Sequence, residues 1–126
     1  MNPRTNDPSG TKGTPMTHFE AHELALEMIA LVRPILEKVA RHDTDLARQM
    51  RKAATSTPSN LAEGNRRRGG DRMHLFSVAL GSADELKTQL RITRAWGYAP
   101  DSQIEPAIEI VDRVCAMTHR LLYPRH

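Results

Sequence analysis

Residues 61–72 read LAEGNRRRGGDR, and two readings of this stretch lead to different folds. From Gly64 to Asp71 it has the G-x-x-x-x-G spacing of a loop that cradles phosphate between a strand and a helix, the mark of an α/β nucleotide-binding domain. Read instead as a glycine-punctuated connection, it joins two helices. The phosphate-loop reading fails on its own chemistry, because Gly70 and Asp71 stand where lysine and serine or threonine are required, and a carboxylate at the second position repels phosphate. The flanks decide for the turn. Leu46, Met50, Ala53, Thr57 and Leu61 recur at three- and four-residue steps before it, and Phe76, Ala79, Leu80, Ala83, Leu86 and Leu90 do the same after it. That spacing predicts amphipathic helices over about 44–63 and 71–96, the first capped by a left-handed Gly64 and the second by Gly97, with Tyr98 making the accompanying apolar contact.

Working outward, Ala21, Leu24, Met28, Leu31, Ile35 and Val39 predict a helix over about 17–42, with a kink near Ala30 from Pro34. Leu26, Ile29 and Leu36 form a second stripe beside the first, a wider apolar arc than a monomer needs and one that another subunit would cover. Residues 102–123 carry Ile104, Ala107, Ile108, Val111, Val114, Cys115, Thr118, Leu121 and Leu122, with Ser102 and Glu105 spaced as a capping box. Four helices with three short connections predict an all-α, antiparallel up-down-up-down four-helix bundle over 17–126. Residues 1–16, MNPRTNDPSGTKGTPM, offer nothing to bury and are expected to be a disordered leader, with Met16 an alternative start.

At 126 residues the chain suits one domain, and its 4% aromatic and 26% charged content favours helices over strands. The formal net charge of +3 is unevenly spread. Residues 47–72 hold seven arginines and lysines against Glu63 and Asp71, a local excess of five, while the rest of the chain sums to −2. An anionic partner would dock there. The single cysteine, Cys115, excludes a disulfide framework and reads as a small core group. No run is apolar enough for a membrane span or a signal peptide, so the chain is expected to be cytoplasmic.

The segments STPSNLAEG (56–64), VALGSADELKTQL (78–90) and WGY (96–98) resemble the four-helix-bundle family typified by proteins encoded in intervening sequences of bacterial 23S rRNA genes. That family also includes accessory proteins of diversity-generating retroelements. The similarity covers about Phe19–Tyr123. It implies a bundle that assembles into a ring-shaped homopentamer and, for the retroelement branch, binding of nucleic acid and of a reverse transcriptase. The chain departs from the commonest family pattern at Thr57, usually isoleucine, and in its basic, glycine-rich loop at 66–70.

The cationic candidates for gripping nucleic acid are Arg66, Arg67, Arg68 and Arg72 on the loop, with Arg48 and Lys52 one helix back. Lys52 stands about 20 Å from the loop along a helix, so a continuous patch needs neighbouring subunits. No aromatic side chain interleaves the loop, which favours contact with the backbone of structured RNA or an RNA–DNA hybrid over reading of unpaired bases. Folding the second and third predicted helices into a hairpin about residue 67 brings Glu63 to Arg72 and Arg51 to Asp84 or Glu85. These residues, with Ser59, Asn60 and Ser82, are expected to form a structural polar network that fixes register. Gly81 is expected at a close helix crossing or a subunit contact.

Enzymatic readings fare worse. A di-metal centre in a bundle needs Glu-x-x-His on two helices, and the nearest approach is Asp71-x-x-His74. His18 and His22 share a helix face without an evident third ligand, and Cys115 lacks an activating base. The sequence therefore predicts a non-enzymatic, oligomeric scaffold without cofactor or metal, binding RNA or DNA through the basic loop. A protein-interaction scaffold, with the arginines meeting an acidic partner, is the alternative.

Overall fold

The structure, a computed structural model, describes residues 16–124, and side chains from residue 20 onward. The expected leader therefore lies outside the described residues except for Met16. Four helices follow in order, α1 (Met16–Ala40), α2 (Thr44–Asn65), α3 (Gly69–Trp96) and α4 (Asp101–Leu122), with no strand among the described residues. Connections of three or four residues oblige each helix to run back along its predecessor. α2 packs on α1 and α3, and α4 packs on α3 and α1, closing the four-helix bundle that the periodicity predicts.

Each helix contributes to one core. Met28, Val32, Ile35 and Val39 come from α1, Met50 and Leu61 from α2, Phe76, Leu86 and Leu90 from α3, and Ile104, Val111 and Val114 from α4, none more than 2% exposed. Burial of each such large side chain contributes about 1.5–3 kcal/mol. Ala21, Ala25, Ala79, Ala83 and Ala107 are fully buried between them and let the helices approach closely. The buried hydroxyls of Thr57, Thr93 and Thr118 donate to the carbonyls of Ala53, Gln89 and Val114, four residues back, so none is stranded without an acceptor.

Several local expectations are corrected. Leu31 is 40% exposed, and Ala25 and Val32 take its place in the core. At about 100° per residue Val32 falls near the middle of the buried arc and Leu31 at its edge. As expected of a proline that does not break the helix, α1 continues across Pro34, and α2 likewise continues across Pro58 and α4 across Pro106. The Ser102–Glu105 capping box does not form. Pro100 holds the cap position, and Glu105 accepts from Arg94 Nη2 at 2.5 Å while Asp101 accepts from Arg94 Nε at 3.3 Å, so the carboxylate meant for the cap instead ties α4 to α3. Gly81 faces open space, with no close crossing inside the chain.

The remaining helix ends have clear causes. Asp43 caps α2 by accepting from Leu46 N at 2.9 Å. Gly97, at φ 75°, ends α3 in a Schellman turn, with Gly97 N donating to Arg94 O and Tyr98 N to Thr93 O. Gly64 is not the left-handed cap the sequence suggested; α2 runs through it to Asn65 and ends at Arg66. Its missing side chain serves packing, since a Cβ there would lie 2.7 Å from Phe76 Cε1 and 2.8 Å from Phe76 Cδ1. The positive φ of this connection falls at Gly69, φ 58°, where the chain enters α3.

Two glycine substitutions should therefore move stability in opposite directions. Gly64→Ala drives a methyl into the Phe76 ring and should cost on the order of 1–3 kcal/mol. Gly81→Ala, in an exposed helix interior, should gain about 0.5–1 kcal/mol. Denaturant unfolding of both variants checks this, and a Gly64→Ala protein as stable as wild type would contradict the packing described.

Candidate nucleic-acid interface at the α2–α3 turn

Arg66, Arg67 and Arg68 occupy the whole connection between α2 and α3, and all three are exposed. Their roles differ. Arg66 Nη2 donates to Glu63 Oε1 at 2.6 Å, and Arg67 donates to Glu63 Oε2 through Nε at 2.9 Å and Nη2 at 2.6 Å. Two guanidiniums thus share one carboxylate, at the i+3 and i+4 spacings that bring side chains together on a helix. Hydrogen bonds from Arg67 and then Arg66, reinforced by their charges, hold the Glu63 carboxyl below its ordinary range. Arg68, at the cap position of α3, makes no side-chain capping bond and enters no ion pair among the described residues.

Arg72 is the structural member of the group. Its Nε donates to Gly64 O at 3.3 Å and Arg67 O at 2.9 Å, and its Nη2 donates to Asn65 O at 3.1 Å. Its guanidinium carbon lies 6.0 Å from the centre of the Phe76 ring. The last carbonyls of a helix lack intrahelical partners, and Arg72, near the start of α3, reaches back to satisfy them. The expected Glu63–Arg72 ion pair is replaced by this arrangement, which also removes Arg72 from the side chains available to a phosphate.

The two basic residues expected further up α2 are not gathered to the turn. Arg48 pairs with Asp45, whose other oxygen accepts from Gln49 at 2.9 Å. Lys52 lines a groove of about 390 Å³ between α2 and α3 with Gln49, Ser56, Ser82 and Glu85.

The polar network forms with different members. Ser56 Oγ and Ser82 Oγ are 2.8 Å apart across α2 and α3, and Asn60 Nδ2 donates to Ser56 O at 2.8 Å and Ser56 Oγ at 3.0 Å. Ser59 is exposed and stands outside it. Arg51 lines the groove between α1 and α2 with Ile29, Arg33 and Glu37, whereas Glu85 faces the α2–α3 groove and Asp84 accepts from Cys115 Sγ at 3.4 Å. The hairpin pairing found the right level along the helices. It did not fix the face, and one residue around the helix puts Lys52, not Arg51, beside Glu85.

Cys115 is half-buried, and burial followed by its hydrogen bond to Asp84 pushes its pKa up to about 12, so it stays a thiol at neutral pH. His22 Nδ1 is 3.8 Å from Glu23 Oε2, and the His18 side chain lies outside the described residues. Among the described residues no three histidine, cysteine, aspartate or glutamate side chains come together as a metal site, and no helix is long and apolar enough to cross a membrane.

The same bundle occurs in a solved structure. The crystal structure of a protein of unknown function from the S23 ribosomal protein family of Bacteroides thetaiotaomicron superposes with a TM-score of 0.75, covering 82% of this chain and 98% of that one. At 15% identity the likeness is one of fold. A family model described as 23S rRNA-intervening sequence protein matches residues 18–120. The chain belongs to the 23S rRNA-intervening sequence protein family. No curated protein matches its sequence. In this family member the matched region takes in the whole α2–α3 turn, with the Glu63-centred arginine pair and the Arg72 clamp.

Glu63 gives the turn a pH signature. Its carboxyl titrates below 4.5 in the folded protein and near that value when unfolded, so the pairing stabilises the fold above about pH 4.5 and is lost as pH falls through the folded value. Glu63→Gln removes this contribution. Unfolding midpoints of wild type and variant should differ at neutral pH and converge in acid; a gap of constant size from pH 7 to pH 3 would contradict the pairing.

Proposed function

We propose that this 23S rRNA-intervening sequence family member is a non-enzymatic, oligomeric scaffold whose α2–α3 turn grips the backbone of nucleic acid. The observation that carries the reading is a run of three exposed arginines on a turn whose shape Arg72 fixes. Arg68 enters no ion pair among the described residues, and the pairs that Arg66 and Arg67 make with Glu63 are exposed ones, which solvent screens and which contribute little. A phosphate can displace such a carboxylate. Phosphate binding of this kind gains affinity from counterion release and carries no sequence information. With no aromatic side chain on the turn, the ligand there is structured RNA or an RNA–DNA hybrid, and the family's description, an intervening sequence of 23S rRNA, points the same way.

Assembly into a homo-oligomer belongs to the same proposal. Leu26 and Leu31 on α1, and Met73 and Ile92 on α3, are 39–44% exposed, apolar side chains on separate faces that other copies would cover, and the family resemblance implies five. A ring repeats the turn in each subunit and multiplies its charge. The sharing of Glu63 by two of the three arginines also supports a second reading, in which the turn docks an acidic surface of a protein partner such as a reverse-transcriptase-like protein.

Replacing Arg66, Arg67 and Arg68 together by glutamine should leave the fold and assembly intact, with the same small loss of stability as Glu63→Gln because the Glu63 pairs go with them, while nucleic-acid retention collapses. The line of log K against log salt should become shallower by roughly 0.7–0.9 for every phosphate that the variant no longer neutralises. Glu63→Gln should act oppositely and tighten binding at low salt. Retention of labelled RNA and duplex DNA across a salt series, with light scattering to follow assembly, measures all of this. Wild-type protein that holds neither nucleic acid at low salt overturns the proposal.

A further inference from the structure

The opposite end of the bundle carries groups that the α2–α3 turn does not use. There the α1–α2 connection meets the α3–α4 connection, about 40 Å from the turn by the rise of the 28 residues of α3. The rings of His42 and Tyr98 are 4.7 Å apart and 2° from parallel, and those of Tyr98 and Trp96 are 6.0 Å apart and 10° from parallel. Three nearly parallel rings, drawn from both connections, thus stand together. Trp96 is 67% exposed, so much of its indole surface is uncovered.

Beside the rings is an open cleft of about 440 Å³, lined by Lys38, Arg41, His42, Gly97 and Tyr98 among others. Lys38 and Arg41 enter no ion pair among the described residues. Of the nearby carboxylates, Asp43 caps α2, Asp45 holds Arg48 and Gln49, and Asp101 pairs with Arg94, while Glu37 lines the α1–α2 groove and none of the four lines the cleft. The cleft is therefore cationic. The Schellman turn accounts for the position of Tyr98, but it accounts neither for an exposed tryptophan extending the stack nor for two uncompensated cations next to it.

Ring faces that share a cleft with the cations of Lys38 and Arg41 suit a ligand that is itself a planar ring joined to a phosphate. Stacking on such a surface accepts any base, because each base has a π-face. No buried polar side chain lines the cleft to hold a ribose or a base edge, so affinity has to come from stacking and charge summed along a strand. We infer that this cleft binds unpaired nucleotides of a single-stranded nucleic acid, with a base laid on the Trp96–Tyr98–His42 stack and the phosphates held by Lys38 and Arg41. This site is separate from the α2–α3 turn and does not depend on the function proposed for it.

Trp96 is the chain's one tryptophan and stacks on Tyr98 of the cleft wall, so its fluorescence reports on the ring stack. Titrating the full chain at low salt with a short oligoadenylate should quench that emission saturably, and an abasic oligomer of the same length should not. By anisotropy with labelled oligoadenylate, Trp96→Leu should weaken binding roughly ten- to hundredfold, Trp96→Tyr should retain most of it, and Lys38→Gln with Arg41→Gln should flatten its salt dependence. Protein carrying glutamine at 66, 67 and 68 should keep the full fluorescence response, which separates this site from the turn. The inference is overturned if oligoadenylate leaves the emission unchanged, if the abasic oligomer or duplex RNA binds the cleft equally well, or if adenosine monophosphate saturates it at the same concentration as the strand. It is also overturned if Trp96→Leu, with helix content intact by circular dichroism, alters assembly and leaves strand affinity as it was.

Discussion

Arg72 holds together the point at which the bundle reverses between its second and third helices. The end of α2 leaves carbonyls without intrahelical partners, and the three-residue connection satisfies them only in part from its own backbone, Arg66 N donating to Glu63 O and Arg67 N to Gly64 O. One guanidinium, anchored over the Phe76 ring, accepts the task for Gly64, Asn65 and Arg67. Phe76 in turn fits because Gly64 has no side chain to displace it. Glycine, ring and guanidinium are mutually dependent, and together they set the register in which the core residues of α2 and α3 meet. The Ser56–Ser82 hydrogen bond farther along the same pair of helices is consistent with that register.

This constraint divides the loop's cations into two kinds. Arg72 is committed to carbonyls inside the turn, so the positive charge left to face outward belongs to Arg66, Arg67 and Arg68. Glu63 moderates it by holding two of the three. Such a turn is rigid in its backbone and exchangeable in its surface pairs, a suitable combination for meeting a polyanion of regular geometry. The far end of the bundle differs in kind, with the stacked rings of His42, Tyr98 and Trp96 and a cleft lined by Lys38 and Arg41.

Much of the bundle was legible in the sequence because core burial follows helical periodicity, which residue order displays directly. The stripes named Leu46, Met50, Ala53, Thr57 and Leu61 on α2 and Phe76, Ala79, Leu80, Ala83, Leu86 and Leu90 on α3, all of them buried except Leu46 and Leu80, which pack partly buried against the core. A residue at the edge of a stripe was less legible: Leu31 follows the three- and four-residue spacing but lies at the rim of the arc whose middle Val32 fills, and it stays exposed. Polar partners were hardest. Glu63 has arginines at i+3, i+4 and, through the hairpin, at Arg72, and sequence does not rank them. The spacing rule for helices pointed to Arg66 and Arg67, while the pull on Arg72 came from unsatisfied carbonyls that appear once α2 has an end. The ring stack escaped notice for a similar reason, since His42 and Tyr98 are brought together only when the two connections at that end of the bundle meet.

The claim that Arg72 builds the turn while its neighbours face outward is tested most directly by unfolding Arg72→Met and Arg68→Met in guanidinium chloride side by side. Both lose one positive charge and keep a long apolar stem. Arg72→Met strands carbonyls that a charged donor had satisfied and should lose about 1.5–3 kcal/mol, whereas Arg68→Met, an exposed change, should stay within about 0.5 kcal/mol of wild type. Midpoints that fall together for the two variants would contradict the account.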